Sequence, residues 1–270
     1  MTVRERQLRI EGVLENVSGA CDFVVEAARE AGLDERAIHH CYLAVDEACT
    51  NIIEHGYSRR CGDCVIEIFC KHDDSTLTIT ILDDSPAFDP LERPDPDPKM
   101  PLSERGVGGW GIFFIKKLMD KVTYSYADNR NRLVMVKKIS RQPLIEQKRE
   151  APALKPIEMR ALSEKVWLIT PSGRLDATQA ANLGAVLTSQ LESGHRWLVL
   201  NMADVEFISS AGLKMLVSVW QRVRDQKGDL ALVALTPRVR EVLQMIGLDL
   251  VFTMSDTPDQ AGAYFASKVK

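Results

Sequence analysis

The sequence lacks the features that would place the chain in a membrane or on nucleic acid. Its 270 residues contain no apolar run long enough to cross a bilayer. The segment MTVRERQLRIEG carries charges where a signal peptide needs an apolar core, so we expect a cytoplasmic location and no membrane partner. The net charge of −4 supplies no basic surface for phosphate backbones, which disfavours a nucleic-acid partner.

Cysteine is absent after residue 70, although the chain contains six cysteines. In a cytoplasmic protein we expect reduced thiols. Cys61-Gly-Asp-Cys64 has the spacing of a metal knuckle or a redox pair, with His55 and His72 as further ligands to consider. No second CxxC or CxxH motif completes such a site, so a turn with two thiols is the favoured interpretation and zinc is the alternative.

The composition is that of a globular protein, with 45% hydrophobic and 27% charged residues. The segment RQPLIEQKREAPALKP is charged, contains proline and has no sustained apolar period, which predicts a linker. We therefore predict a first domain at residues 1–140, a linker at 141–156 and a second domain at 157–270.

The segment DEACTNIIEH lies in a run that predicts one amphipathic helix from Asp34 to Gly56. Its apolar or bulky residues recur at gaps of four and three, as in a core-packed helix: Ile38, Tyr42, Val45, Cys49 and Ile52. Glu47, Asn51 and His55 follow at i, i+4 and i+8 on a neighbouring face. A carboxylate can accept a proton and an amide oxygen can bind Mg²⁺, so Glu47 and Asn51 suit work on a metal-bound triphosphate. A solvated helix face is the alternative.

Asp83 follows a predicted antiparallel hairpin, Val65 to Lys71 and Thr76 to Leu82, whose second strand alternates apolar residues with threonine. An aspartate at a strand end can offer its carboxylate to the exocyclic amine of a purine. A structural turn would look similar and stays open as the alternative.

A glycine-rich segment, RGVGGWG, leads into a helix predicted from Ile112 to Met119. The proline-rich stretch Pro90 to Ser103 before it predicts a lid or a disordered segment. Glycines ahead of a helix let backbone N–H groups approach phosphate. The spacing is neither that of the Rossmann fingerprint nor that of the Walker A loop. A flexible hinge is the alternative. Two further strands, Val122 to Tyr126 and Leu133 to Lys138, complete this half of the chain.

These segments together resemble the ATP-binding fold shared by gyrase, heat-shock chaperones, histidine kinases and MutL. More narrowly, DEACTNIIEHGY, DDSPAFDP, GVGGWGIFFIKKLMDKV and NRLVMVKK resemble the anti-sigma-factor serine kinases of bacterial partner switching. The resemblance covers residues 5–140 and implies a Bergerat-type α/β sandwich with ATP and Mg²⁺ as cofactors.

The same resemblance implies a role for each candidate residue. Glu47 would be the general base, Asn51 the Mg²⁺ ligand and Asp83 the adenine reader. The lid and phosphate contacts would come from Gly106, Gly108, Gly109 and Gly111. The family usually has glycine two residues after the adenine aspartate, where this chain has Ser85. A side chain there would either crowd the adenine or require a positive φ.

The second half alternates strands and helices, which predicts an α/β unit with its last strand around Val251. Its segments PSGRLDATQA, VEFISSAGL and TPRVREVLQMIGLD resemble STAS-domain anti-sigma-factor antagonists. Aligned on that family, the phosphoacceptor serine falls on Ser210. Many members have aspartate where this chain has Ser209, so Ser209 is the alternative acceptor and a plain helix cap is the structural interpretation.

The sequence therefore predicts an α+β unit followed by an α/β unit, and a protein serine kinase fused to a phosphorylatable antagonist domain. The resemblance implies a sigma factor or analogous target, a STAS antagonist in cis or in trans, a serine phosphatase as counterpart, and a homodimer as one expected assembly. The alternatives are a non-catalytic module that sequesters its partner, a sensor histidine kinase, which would need dimerisation helices and an acceptor histidine, and partner switching on a target other than a sigma factor.

Overall fold

The computed structural model describes residues 4–57, 64–92, 94–96, 110–140 and 156–268. These residues divide into two compact units, the first containing those up to 96 together with 110–140 and the second containing 156–268. The predicted linker falls almost entirely outside the described residues, so its bounds stay a prediction.

The first unit is an antiparallel five-stranded sheet with three helices. Its strands are β1 (Arg4–Glu11), β2 (Val65–His72), β3 (Thr76–Asp83), β4 (Lys121–Ala127) and β5 (Arg130–Lys138), in the spatial order β1-β2-β3-β5-β4. Its helices are α1 (Val17–Glu30), α2 (Glu35–Asn51) and α3 (Trp110–Leu118). The predicted hairpin and closing strands are confirmed, with bounds that differ by one to three residues.

The sheet buries one face because its strands alternate. Leu77, Ile79 and Ile81 of β3 are fully buried, whereas the threonines between them are half-buried. Helix α1 contacts β1 and β2, and α3 contacts β4, so helices cover the apolar side. This arrangement places the helices over the sheet whose strand β3 ends at Asp83.

Helix α2 is enclosed on all sides over residues 37–50, which are all buried. It begins at Asp34, whose side chain accepts a hydrogen bond from the Ala37 N–H at 2.7 Å. Helices α1 and α3 both pack against it. The alternative of a solvated face at Glu47 is therefore wrong, because the second face lies against neighbouring elements.

The end of this helix is wound differently from the prediction. A π-helical turn, Ile52–Gly56, follows α2, and the Tyr57 N–H bonds the Ile52 carbonyl at 2.8 Å. The i, i+4 alignment therefore stops at Asn51. His55 is exposed, and its expected place in line with Glu47 is wrong.

The second unit contains two sheets and four helices. Its strands are β6 (Glu158–Ala161), β7 (Val166–Thr170), β8 (Gly173–Leu175), β9 (Trp197–Asn201), β10 (Val205–Ile208), β11 (Asp229–Val233) and β12 (Thr253–Ser255). Its helices are α4 (Ala177–Glu192), α5 (Ser210–Asp225), α6 (Pro237–Met245) and α7 (Pro258–Lys268). The larger sheet has the order β12-β11-β9-β7-β6 and is parallel except for β6, while β8 and β10 form a separate parallel pair.

Short strands account for the differences between this unit and its prediction. Strands β6 and β8 have three or four residues and no alternating signal, and the sequence did not indicate them. The last strand begins at Thr253, two residues after the predicted position around Val251, because Val251 follows a short 3₁₀ helix, Leu248–Leu250. Gly247 adopts a left-handed conformation, with φ 66°, where the chain leaves α6. The chain then passes through the 3₁₀ turn before β12 begins.

Four cysteines of the first unit are buried and not in disulfides: Cys21, Cys41, Cys49 and Cys70. Burial raises the pKa of the Cys41 and Cys70 thiols to about 12, and it also raises the pKa of Cys49. Because alkylation needs an accessible thiolate, we expect no iodoacetamide labelling of these residues in the native protein at pH 8 and full labelling in denaturant. Peptide mass spectrometry checks this, and native labelling of Cys41 at the denatured rate would contradict it.

Cys64, in contrast, is disulfide-bonded, so the prediction of reduced thiols is wrong at this position. Cys61 lies outside the described residues. Within the described part of the chain, no three His, Cys, Asp or Glu side chains are grouped to hold a metal ion. Among the same residues, no helix has the length and apolar character needed to span a membrane.

Candidate functional site

Glu47 and Asn51 converge on one point of α3, the backbone at Gly111. A Cβ atom at Gly111 would overlap Glu47 Oε2, and it would lie 3.1 Å from Glu47 Cδ and 3.2 Å from Asn51 Nδ2. Glu47 is 2% exposed. The absence of a side chain at Gly111 thus leaves room for a carboxylate and an amide one turn apart on α2. Three of the residues named from the sequence meet here.

Asp83 is the last residue of β3 and lies near α2. It is buried, and its Oδ1 accepts hydrogen bonds from the Ser85 N–H at 3.0 Å, from the Ser85 hydroxyl and from Asn131 Nδ2 at 2.9 Å. Burial raises the pKa of the Cys49 thiol, and the nearby charges of Asp46 and Asp83 raise it further. Since Cys49 belongs to α2, the carboxylate of Asp83 lies within electrostatic reach of the helix that carries Glu47 and Asn51.

Ser85 occupies its place without backbone strain. The described non-glycine residues with positive φ do not include Ser85, so it does not adopt the left-handed conformation that was one of the two expected consequences. Its side chain is accommodated by Gly56, where a Cβ atom would lie 2.7 Å from Ser85 Oγ and 2.9 Å from Ser85 Cβ. The glycine at the end of the π-helical turn makes room for the serine.

Tyr57 fastens this end of α2 to the sheet. Its hydroxyl lies 2.7 Å from the Val65 carbonyl oxygen and 2.9 Å from Asp84 Oδ1, two acceptors for its single hydrogen. Burial and the Asp84 carboxylate raise the pKa of the phenol, which stays a donor at neutral pH. The ring also packs over Gly12, where a Cβ atom would lie 2.7 Å from it. The π-helical turn is therefore held between two strands.

The glycine-rich segment is described only at its end. Gly106, Gly108 and Gly109 lie outside the described residues, as does most of the predicted lid. Gly111 is the second residue of α3 and is buried. The roles of these glycines in phosphate contact stay predictions.

Ser209 and Ser210 lie where β10 leads into α5, and both are buried. Ser209 is the N-cap: its hydroxyl accepts from the Gly212 N–H at 3.3 Å and donates to the Leu175 carbonyl at 3.0 Å. Its backbone N–H also bonds the Leu175 carbonyl at 3.0 Å. Ser210 is the first residue of the helix. The structural interpretation as a helix cap thus fits Ser209.

Sequence reasoning missed Asn131 and Gly56. Asn131 pairs with Asp83 in the β3–β5 register, but the predicted strand began at Leu133. Extending that strand by two residues would have placed an amide opposite the aspartate. The role of Gly56 depends on the π-helical turn, for which the sequence carries no periodic signal.

Comparison with known proteins separates the two halves. A histidine kinase-like ATPase domain matches residues 10–137, and a STAS domain matches residues 160–261. The serine-protein kinase RsbW of Bacillus cereus is 30% identical over 119 residues, which are 43% of this chain and 72% of that protein. A protein of Bordetella bronchiseptica named as the anti-sigma factor antagonist BtrV is 34% identical over 93 residues, which are 34% of this chain and 80% of that protein.

One similar solved structure is an anti-sigma factor antagonist from Mycobacterium paratuberculosis, with 24% identity, a TM-score of 0.38, and coverage of 41% of this chain and 93% of that one. From the matched domains and curated relatives, the chain belongs to the RsbW-like histidine kinase-type ATPase family through its N-terminal half and to the STAS antagonist family through its C-terminal half. A kinase-type domain and an antagonist-type domain on one chain are the composition of a partner-switching regulator.

Proposed function

We propose that this chain is an ATP- and Mg²⁺-dependent protein serine kinase whose second domain carries the phosphoacceptor of a partner switch. The observation that supports it most directly is the convergence of Glu47 and Asn51 on the bare backbone of Gly111. A buried carboxylate beside an amide gives a general base and a hard oxygen ligand in one place. Asp83 at the adjacent strand end adds an acceptor for the adenine amine.

In the proposed reaction, Glu47 accepts the proton of a serine hydroxyl while the serine oxygen forms a bond to the γ-phosphorus of ATP. The bond between the γ-phosphorus and the β–γ bridging oxygen breaks, and ADP is released. The donor set fits a magnesium ion, because the amide oxygen of Asn51 is a neutral hard ligand. When bound, Mg²⁺ would neutralise charge on the transferred phosphoryl group. Burial of Glu47 keeps the base away from bulk water.

The proposed acceptor is Ser210, and the contacts of Ser209 argue against the alternative. The Ser209 hydroxyl both donates and accepts within the domain, so phosphorylation there would break the N-cap and the bond to Leu175. Ser210 is also buried, at 5% exposed, but it lies in the first turn of α5. Fraying that turn exposes its hydroxyl, and the cap that opposes fraying contributes about 1 kcal/mol.

The proposed switch is electrostatic. A phosphate on Ser210 adds nearly two negative charges to the end of the domain where Asp204 and Glu206 precede the helix. The dipole of α5 tolerates this charge at its N-terminus. A partner packed on that surface would be repelled, so phosphorylation releases a complex without unfolding the domain. We propose a sigma factor or analogous target as the partner, a serine phosphatase as counterpart, and a cytoplasmic setting.

The acceptor assignment is tested with two serine variants. Incubation with ATP and Mg²⁺ should phosphorylate the wild-type chain or a separately supplied STAS antagonist, and phosphopeptide mapping should place any phosphate on this chain at Ser210. Ser210→Ala should abolish that site. Ser209→Ala should retain it while lowering the stability of the second domain by about 1 kcal/mol, because only a cap is lost.

Phosphate at Ser209 in the wild type, with loss of labelling in Ser209→Ala alone, would reverse the assignment. If neither this chain nor an antagonist is labelled although ADP binds, the chain acts by sequestering its partner and the kinase proposal fails.

When Ser210 is labelled, a tagged Ser210→Ala chain mixed with an untagged Glu47→Gln chain decides between cis and trans transfer. Only transfer between molecules can label the untagged chain.

A further inference from the structure

The Asp83 carboxylate is held by one oxygen only. Every hydrogen-bond donor that reaches it in the described part of the chain bonds Oδ1: the Ser85 N–H at 3.0 Å, the Ser85 hydroxyl and Asn131 Nδ2 at 2.9 Å. Three donors on one oxygen fix the rotation of the carboxylate about its Cβ–Cγ bond. They leave Oδ2 without a donor among the described residues, as an acceptor in a fixed orientation.

The amide of Asn131 cannot exchange its two ends. Its Nδ2 also donates to the Ser85 carbonyl at 2.9 Å and to Ser85 Oγ at 3.1 Å. Its Oδ1 accepts from the Tyr124 hydroxyl at 2.6 Å and from the Phe88 N–H at 3.2 Å. A flipped amide would place oxygen against the Asp83 carboxylate and the Ser85 carbonyl, and NH₂ against the Phe88 N–H, so the bonds to these three groups would be lost.

The Ser85 side chain packs against the backbone of Gly56. Gly56 lies so close that a Cβ atom there would be 2.7 Å from Ser85 Oγ, and Ser85 is 6% exposed. The hydroxyl donates to Asp83 Oδ1 and accepts from Asn131 Nδ2. Ser85 therefore fills the space between Gly56 and Asp83 and closes a ring of contacts around one carboxylate oxygen.

We propose that Ser85 and Asn131 are positioning residues that make the nucleotide site select 6-aminopurines over 6-oxopurines. The inference rests on the proposed function, in which Asp83 reads the base. An ionised carboxylate offers only acceptors, but one that can rotate or move can turn away from a 6-oxo group and so reduce the repulsion. A carboxylate clamped through Oδ1 keeps Oδ2 in place, where it pairs with an exocyclic amine and opposes an exocyclic oxygen.

The experiment compares ADP with inosine diphosphate, which carries oxygen in place of the 6-amino group. Isothermal titration calorimetry on the full chain with Mg²⁺ gives both dissociation constants. The wild type should bind ADP about 10- to 100-fold more tightly, the factor expected for one charge-assisted hydrogen bond. Asn131→Ala and Ser85→Gly should each reduce that ratio about tenfold, mainly by weakening ADP. Arg132→Ala, an exposed neighbour of Asn131 on β5, should leave the ratio unchanged.

Gly56→Ala gives an independent route to the same clamp. Its added methyl group would displace Ser85, so it should lower the ratio in the wild-type background and add little in the Ser85→Gly background, where the space is free. A general loss of folding would lower both affinities together and leave the ratio as it was. An unchanged ratio in Asn131→Ala, Ser85→Gly and Gly56→Ala overturns the clamp while nucleotide binding stands. A wild type that binds neither nucleotide overturns both the clamp and the proposed function.

Discussion

Replacement of Glu47 by glutamine should slow phosphotransfer about 100- to 10,000-fold, the usual contribution of a positioned general base. Glutamine preserves the volume of a side chain that is 2% exposed and converges with Asn51 on Gly111, so the packing around α2 should be retained. Only the capacity to accept the serine proton is removed. The rate of Ser210 phosphorylation under single-turnover conditions measures the effect, and ADP affinity by calorimetry should show that binding persists.

Glu54→Gln is the matched control. Glu54 is exposed on the π-helical turn, seven residues after Glu47. Its replacement by glutamine removes one negative charge, as Glu47→Gln does. Its variant should phosphorylate at the wild-type rate. If Glu47→Gln retains full phosphotransfer while Glu54→Gln behaves as expected, Glu47 is not the base and another group must accept the proton.

Addition of one methyl group at Gly111 should have an effect of similar size by a different route. The Cβ atom of Gly111→Ala would overlap Glu47 Oε2 and lie 3.2 Å from Asn51 Nδ2. Because Glu47 is buried, its carboxylate has no solvent into which to move. Overpacking of this kind costs about 1–3 kcal/mol. We expect ADP affinity to fall about tenfold or more and phosphotransfer to be lost, since both candidate groups are displaced together.

Gly19→Ala provides the comparison for this variant. Gly19 is exposed inside α1 and a Cβ atom there would meet nothing within 4 Å. The same chemical change should therefore stabilise the chain by about 0.5–1 kcal/mol, because alanine favours a helix over glycine, and should leave nucleotide affinity as it is. Thermal unfolding and ADP titration of the two variants together check this. Wild-type ADP binding and phosphotransfer in Gly111→Ala would show that the convergence on α3 has no functional weight.

The sequence predicted those parts of the site that follow a helical or strand period. The apolar stripe of α2 indicated its buried side, and the spacing of Glu47 and Asn51 placed both side chains on a common face. The alternation of Leu77, Ile79 and Ile81 with threonine indicated the strand that delivers Asp83. Local spacing settles such features because neighbours along an element are neighbours in space.

Contacts between distant segments could not be read in this way. The Asn131 amide reaches Asp83 across 48 positions, and Ser85 fits because of Gly56, which depends on a π-helical turn. Ser85 as a departure from the family pattern predicted either crowding of the adenine or a positive φ, and the Ser85 backbone does not have a positive φ. Gly56 makes room for Ser85 only because the fold brings the two residues together, and a single sequence does not reveal such a contact between distant positions.

The π-helical turn gives the two ends of this helix different rotational phases. Glu47 and Asn51 keep the α-helical phase that aims them at Gly111, whereas Gly56 and Tyr57 follow a wider winding that turns them toward Ser85, Asp84 and the Val65 carbonyl. A helix of uniform pitch from Glu35 to Tyr57 could satisfy one of these orientations and would rotate the other away from its contacts. The extra residue in the winding thus allows a single helix to direct Glu47 and Asn51 toward α3 and Tyr57 toward the sheet, the two places where the proposed function puts the phosphates and the base of one nucleotide.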